Sequence, residues 1–367
     1  MIPQCDPGAA YRTHQTEIDQ AIRRVLESSW YVLGKEVGAF EEKFAAWLGV
    51  KHAVGVANGT DAIELALRAL GVGPGDKVAT VSHTAVATVA GIRRTGADVR
   101  FVDIEPAYYT MDPDSLGSLL EQEPDIRAVV VVHLYGQMAD MPRILEIARR
   151  HGLRVIEDCA QAHGAKLQGR MAGSWGDVGT FSFYPTKNLG ALGDGGAVVC
   201  NDARIAECLR ALRQYGWDEK RVSRMEGVNS RLDELQAAVL GAKMANLNDD
   251  NEARKRIAER YLERLAELDR IQLPMIRQGA EPVWHQFVIR CRDRDSLAAY
   301  LKARDVATAV HYPRAAHQMP AYARPEWLPV PLSNTEQAAS RILSLPMFPQ
   351  LSVTQVDQVI EAIKDWQ

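Results

Sequence analysis

A lysine, an aspartate, a glutamine and a glycine-opened helix are the features of this sequence whose types and order suggest shared chemistry. Lys187 lies in Phe181-Ser182-Phe183-Tyr184-Pro185-Thr186-Lys187-Asn188, and the chain continues as Leu189-Gly190-Ala191-Leu192-Gly193-Asp194-Gly195-Gly196. No other basic residue stands between Arg170 and Arg204. The glycines let the backbone turn sharply and approach a ligand. Burial would lower the amine's pKa and make it nucleophilic, although a lone lysine is more often a solvated surface charge. Glu157-Asp158-Cys159-Ala160-Gln161 closes an apolar run, and ligands of open α/β sheets sit outside the carboxyl ends of strands. Asp158 there can pair with a cationic ring nitrogen, and Gln161 can donate to a phenolate oxygen; the competing reading is an acid that caps the next element. Asn58-Gly59-Thr60-Asp61 leads into a helix whose free N–H groups and dipole favour phosphate, or is a plain cap. In Gly227-Val228-Asn229-Ser230-Arg231-Leu232-Asp233-Glu234, a capped core helix leaves Asn229 and Arg231 over to reach a ligand or another subunit.

The elements that must position these residues alternate between helix and strand. Asp61 followed by Glu64 reads as a capping box. Ile63, Ala66, Leu67 and Leu70 then share one face, and Gly71 ends the run. Short apolar runs at 78–81, 99–102, 128–132, 153–156, 178–183 and 196–200 read as strands. Helices lie between them, near 85–94 and after Asp112-Pro113 and Pro142. Ser230 or Asn229 can cap a helix that buries Leu232, Leu235, Ala238 and Val239. Continuous apolar strands separated by helices predict a mostly parallel sheet covered on both faces. Near residue 250 the pattern changes to a long charged helix at 251–268, a strand at 283–289, a helix near 296–304 and two late helices. The predicted organisation is a large α/β domain over 1–250 and a smaller α+β domain over 251–367.

Composition narrows the function class. The chain has 367 residues, 47% hydrophobic and 25% charged, as expected of a globular protein with a large core. A net charge of -4 gives no electrostatic reason to expect nucleic acid or an anionic membrane as partner. The most apolar run, 128–132, is too short to span a bilayer, and the N-terminus lacks the regions of a signal peptide. The five cysteines are scattered, without a CxxC pair, which fits reduced thiols in the cytoplasm. His133, Cys159 and His163 lack metal-ligand spacing, so no metal is expected.

Taken in order, the four pieces resemble the DegT/DnrJ/EryC1/StrS family of sugar-nucleotide aminotransferases, which have the PLP fold-type I (aspartate aminotransferase-like) architecture. The resemblance runs over the whole chain. It includes Trp30-Tyr31-Val32-Leu33-Gly34, His133-Leu134-Tyr135-Gly136-Gln137, His311-Tyr312-Pro313 and Ser344-Leu345-Pro346-Met347. It implies that Lys187 carries pyridoxal 5′-phosphate (PLP) as a Schiff base, that Asp158 pairs with the pyridine nitrogen and that Gln161 bonds the phenolic oxygen. Gly59, Thr60 and Ser182 would hold the phosphate. Asn229 would reach the phosphate in a neighbouring subunit, making a homodimer with shared active sites. The branch that dehydrates sugars has histidine in place of the lysine, so Lys187 argues against it. One departure concerns the aromatic residue that often stacks on the ring. Its position in Ser82-His83-Thr84-Ala85-Val86-Ala87-Thr88 is Ala85, which leaves His83, another side chain or an open face.

The resemblance further implies two half-reactions, with L-glutamate as amino donor and a nucleotide-linked keto sugar as acceptor. The loop Lys187-Asn188-Leu189-Gly190-Ala191-Leu192-Gly193-Asp194 is most similar to the branch that aminates C3 of 3-keto sugars. A 4-keto sugar or cyclitol aminotransferase is the near alternative, and a catalytically silent PLP-fold regulatory protein is the alternative of another class. Tyr31, Tyr184, His311, Tyr312 and His317 match family positions near the nucleotide sugar. Lys220 and Arg221 are candidates for its diphosphate, or form a solvated loop.

Overall fold

The apolar runs do form a sheet buried from both sides. In the computed structural model, which describes residues 1–366, seven strands make the central sheet. We label them β1 (His52–Val56), β2 (Lys77–Val81), β3 (Asp98–Val102), β4 (Ile126–Val132), β5 (Arg154–Asp158), β6 (Val178–Ser182) and β7 (Gly196–Cys200). Their spatial order is β1-β7-β6-β5-β4-β2-β3. β2 pairs parallel with β3 and β4, and β4, β5 and β6 are also parallel neighbours. β7 alone runs against both its neighbours. The mostly parallel α/β sheet covered by helices is therefore as expected. The chain reverses through the glycine loop after β6, so β7 returns antiparallel and Lys187 is left at the carboxyl end of the sheet.

Two helix starts differ from the sequence reading. The helix Gly59–Ala69 is capped by Asn58, whose side chain accepts from the Asp61 N–H at 2.8 Å. Asp61 sits inside the first turn and bonds Ser230 Oγ at 2.6 Å and Arg94 at 2.7 Å. Ser230 is thereby engaged elsewhere, and the next helix, Glu234–Lys243, begins after Asp233 rather than after Asn229 or Ser230. Both shifts have one cause: polar side chains found long-range partners that local pattern cannot show.

Glu234 is such a case. Its carboxylate accepts from the N–H groups of Gly34 (2.7 Å), Val37 (2.9 Å) and Glu36 (3.0 Å). These are orphan donors at the start of the helix Lys35–Leu48. A Cβ at Gly34 would meet Glu234 Oε2 at 2.8 Å, so a side chain there would push the carboxylate from this position. Segment 30–34 is fixed by this carboxylate and by a bridge from Val32 to Asp233.

Beyond residue 246 the helix Leu247–Leu265 leads to a separate core around Tyr261, Phe287, Leu297 and Ile360. Its sheet is antiparallel, with Phe287–Cys291 between Ile271–Gln272 and Ile342–Leu345. The strand predicted at 283–289 starts late, because Val283 and Gln286 instead bond the carbonyls of Gly136 and Tyr135 in the large domain. The extreme N-terminus, expected with the large domain, crosses to this smaller core. Ile2 is buried in it, and Ile2 N donates to Asp305 O at 2.6 Å. No helix among the described residues is long and apolar enough to cross a membrane.

Glu234→Ala should lower unfolding stability in urea by roughly 3 kcal/mol, because three donors lose a charged acceptor. A loss under about 0.5 kcal/mol, the range of an ordinary surface substitution, would show that water replaces the carboxylate.

Candidate active site

The carboxyl ends of β5 and β6 and the start of the helix Gly59–Ala69 enclose a cavity of about 240 Å³. Gly59, Thr60, Asp158, Gln161, Ser182, Tyr184 and Lys187, separated by up to 128 positions in sequence (187 minus 59), all line it. At its floor Asp158 is buried. One carboxylate oxygen accepts from Thr88 Oγ1 at 2.8 Å, the other from the Ala160 N–H at 3.1 Å. Thr88 is itself held by Thr84 Oγ1 at 2.9 Å. Burial pushes the Asp158 pKa above the usual carboxylate range, against the lowering effects of Thr88, the Ala160 N–H and the Lys187 charge. Such an acid gains from a cationic partner supplied by a ligand.

Lys187 follows the turn after β6, its N–H bonded to the Tyr184 carbonyl at 2.8 Å. Burial lowers the pKa of its amine to about 8, and Asp158 opposes this. A useful fraction is therefore neutral near physiological pH.

The phosphate end is built by close packing. The first N–H groups of a helix have no partner within it. Asn58 takes one of them, at Asp61, while Gly59 and Thr60 open on the cavity. A Cβ at Gly59 would come within 2.7 Å of Ser182 Cβ, so the helix start and the end of β6 meet only because residue 59 has none. A lysine, an acid for a ring cation and a helix N-terminus beside a hydroxyl form the donor set that PLP requires. The residues present fit the cofactor.

Gln161 ties two further segments to this floor. Its Oε1 accepts from the Tyr135 N–H at 2.7 Å and its Nε2 donates to Tyr312 Oη at 3.1 Å. One N–H of that amide remains for a ligand. Tyr312 thus meets the cavity through Gln161. His311 bonds Ser344 Oγ at 2.8 Å, and burial lowers its pKa to about 4.

Other predicted residues are not brought together. His317 is buried and doubly engaged, by Ser82 Oγ at 2.8 Å and Glu336 at 3.2 Å, and does not line the cavity. Its place against Phe101 is a packing role. Tyr31, Lys220, Arg221 and Asn229 are exposed and outside the lining. On the side left open by the sequence, Thr84, Ala85, Ala87 and Thr88 line the cavity. His83 bonds Tyr135 Oη at 2.9 Å instead, and burial lowers its pKa to about 4. No aromatic side chain of 82–88 covers that face.

Sequence reasoning gave no role to Thr88, Tyr135 or Glu157. Glu157 could have been found from its place beside Asp158 on a buried strand, where a second acid needs partners. It accepts from the N–H groups of Trp175 (2.7 Å), Gly176 (2.8 Å) and Gly173 (2.9 Å), and from His133 Nε2 (3.0 Å). His133, Glu157 and Cys159 present ligand atoms within 4.8 Å of one another, yet these bonds occupy both carboxylate oxygens. His133 Nδ1 accepts from the Ala139 N–H at 3.2 Å, and burial pushes the Cys159 thiol pKa well up. The trio is a structural clamp.

Comparison with known proteins agrees with this geometry. The sequence profile described as the DegT/DnrJ/EryC1/StrS aminotransferase family matches residues 12–364. The chain is 46% identical over 365 residues to dTDP-3-amino-3,4,6-trideoxy-alpha-D-glucose transaminase of Streptomyces venezuelae, covering 100% of this chain and 96% of the relative. It is 46% identical over 363 residues to dTDP-3-amino-3,6-dideoxy-alpha-D-galactopyranose transaminase of Aneurinibacillus thermoaerophilus, covering 99% of each. Among solved structures, S. venezuelae DesV in complex with a ketimine intermediate superposes with a TM-score of 0.96 at 46% identity, covering 100% of this chain and 98% of that one.

In the cofactor-free protein, reductive methylation of Lys187 followed across pH should show a midpoint near 8, below the ordinary 10.5. A midpoint at the ordinary value would mean a solvated amine.

Proposed function

The chain belongs to the DegT/DnrJ/EryC1/StrS aminotransferase family, and we propose that it transfers an amino group to C3 of a nucleotide-linked 3-keto-deoxysugar, with L-glutamate as donor. The observation that carries the reading is one cavity lined by Lys187, Asp158, Gln161 and the N-terminus at Gly59 and Thr60. The cofactor is PLP. When bound, it supplies an electron-accepting ring that carries nitrogen from donor to acceptor.

The chain's residues divide the work. Gly59, Thr60 and Ser182 hold the phosphate, Asp158 keeps the ring nitrogen cationic, and Gln161 orients the ring through its remaining N–H. Lys187 Nζ anchors the cofactor and, once released, moves the proton at the substrate carbon that exchanges nitrogen. Burial already lowers the pKa of the free amine to about 8, toward the range in which an amine can both give and take a proton. The sign follows for the free amine: its neutral fraction in the cofactor-free protein rises with pH through about 8 and falls below it.

C3 is preferred over C4 because the 3-amino-sugar transaminases above share nearly half their residues with this chain over its full length. A 4-keto sugar or cyclitol activity and a silent regulatory role are not favoured. Tyr184, at the cavity and half exposed, and Tyr31, His311 and Tyr312 are assigned to the nucleotide sugar, with Lys220 and Arg221 toward its diphosphate.

We also propose a homodimer. Large apolar side chains are exposed in consecutive positions at Trp30, Tyr31 and Val32, and others are exposed within one segment at Tyr215, Val222 and Met225. Such clustering marks an interaction surface. Asn229 lies outside its own cavity, where only a second copy would let it serve a phosphate. The five free cysteines suit the cytoplasm.

The test is product NMR after incubation with L-glutamate and either a 3-keto or a 4-keto nucleotide sugar. Amination at C3 is expected, and amination only at C4 would overturn the regiochemistry. Lys187→Ala should lower turnover by at least about 10³-fold, given that both covalent anchoring and proton transfer are lost.

A further inference from the structure

The side chain after Lys187 has no part in the chemistry above, yet it is among the best-connected in the site. Asn188 is buried. Its Nδ2 donates to Asn251 Oδ1 at 2.8 Å and to the Val283 carbonyl at 2.9 Å. Its Oδ1 accepts from His285 Nδ1 at 3.1 Å, which places the imidazole proton on Nδ1. Asn251 Nδ2 donates in turn to the His163 carbonyl at 2.9 Å. Both N–H groups and the carbonyl of Asn188 are thus matched, and a buried amide network of this kind is costly to leave half-made. The partners come from the helix Leu247–Leu265, from the segment entering the small-domain strand and from the loop after Asp158.

The location gives the network its consequence. A lysine's flexible stem cannot be aimed unless its backbone is fixed. On one side the Lys187 N–H is held by the Tyr184 carbonyl. On the other side the chain enters a glycine loop, where a Cβ at Gly190 would meet the Pro185 carbonyl at 2.5 Å. Lys243 Nζ grips the Gly190 carbonyl at 2.5 Å. Between these ties, among the described residues, the side-chain anchor next to the lysine is Asn188.

We propose that Asn188 is a positioning residue for Lys187: by tying the peptide at 188 to Asn251, Val283 and His285, it holds the lysine amine inside the cavity shared with Asp158. The inference rests on the reading of Lys187 as the reactive amine. Loosening the tie lets the amine reach water, which moves its pKa back toward that of a solvated lysine. The titratable groups that sense its charge are Asp158 from β5, His163 from the following loop, and His285 and His311 from the small-domain side.

The experiment is the pH profile of Lys187 methylation by formaldehyde and cyanoborohydride in the cofactor-free full chain, read by peptide mass spectrometry. Asn188→Ala should move the midpoint up by about one unit, leaving roughly tenfold less neutral amine at pH 7. Asn188→Ser, which keeps one donor, should fall between, and it replaces the alanine variant if that does not fold. Asn251→Ala removes one bond of the same network but leaves Asn188 held by Val283 and His285. It should lower the melting temperature and move the midpoint by clearly less than Asn188→Ala does. An unmoved midpoint in the Asn188 variants overturns the proposal, and so does an equal shift in Asn251→Ala, which would trace the effect to general destabilisation. The readout needs no cofactor. Failure of Lys187 to bind PLP would therefore sink the proposed function and leave this result standing, and the reverse also holds.

Discussion

Two adjacent carboxylates on one strand cannot point the same way. The pleat of β5 sends Glu157 to one face of the sheet and Asp158 to the other, and the site depends on that separation. Glu157 meets four donors and is saturated. Asp158 meets two and keeps capacity for a cation. A buried carboxylate without partners is expensive. The first acid therefore draws the 173–176 turn onto the sheet, while the second is left with fewer partners at the floor of the cavity. Construction and chemistry are divided between neighbours by the geometry of a strand.

Around Asp158 the protein holds most other titratable groups neutral. Burial depresses the pKa of His83, His163, His285 and His311, and raises that of Tyr312 to about 12. Lys187 is the group of this set whose pKa, about 8, lies near working conditions. Among the described residues Lys187 is also the one amine in the cavity lining, beside the carboxylates of Asp158 and Asp194, and an amine of this kind can both give and take a proton.

The two buried cores are not independent supports. Gln161 joins Tyr135 to Tyr312, and Asn188 joins the lysine loop to Asn251 and His285. Arg277 adds ion pairs to Glu105 and Asp140 and lies over Tyr108. Polar contacts across such a seam fix relative position more tightly than apolar ones, because a shift leaves buried donors unpaired. The face near Ala85 contrasts with this, being lined by small residues and threonines.

Much of this was legible in the residues alone. Period and punctuation located the strands, because continuous apolar runs are what a doubly covered sheet demands. Motif order picked out Lys187, Asp158, Gln161, Gly59, Thr60 and Ser182, which the fold gathers around one cavity. The sequence by itself determined the sheet and the family resemblance, and it singled out the lysine that the fold buries beside Asp158. Only the tertiary structure decided what partners polar side chains take. It put the cap on Asn58 instead of Asp61, turned His83 toward Tyr135, locked His317 between Ser82 and Glu336, and sent Ile2 into the small-domain core. The reason is physical: apolar periodicity is set by near neighbours along the chain, whereas a buried hydrogen bond is satisfied by whatever group the fold brings within about 3 Å.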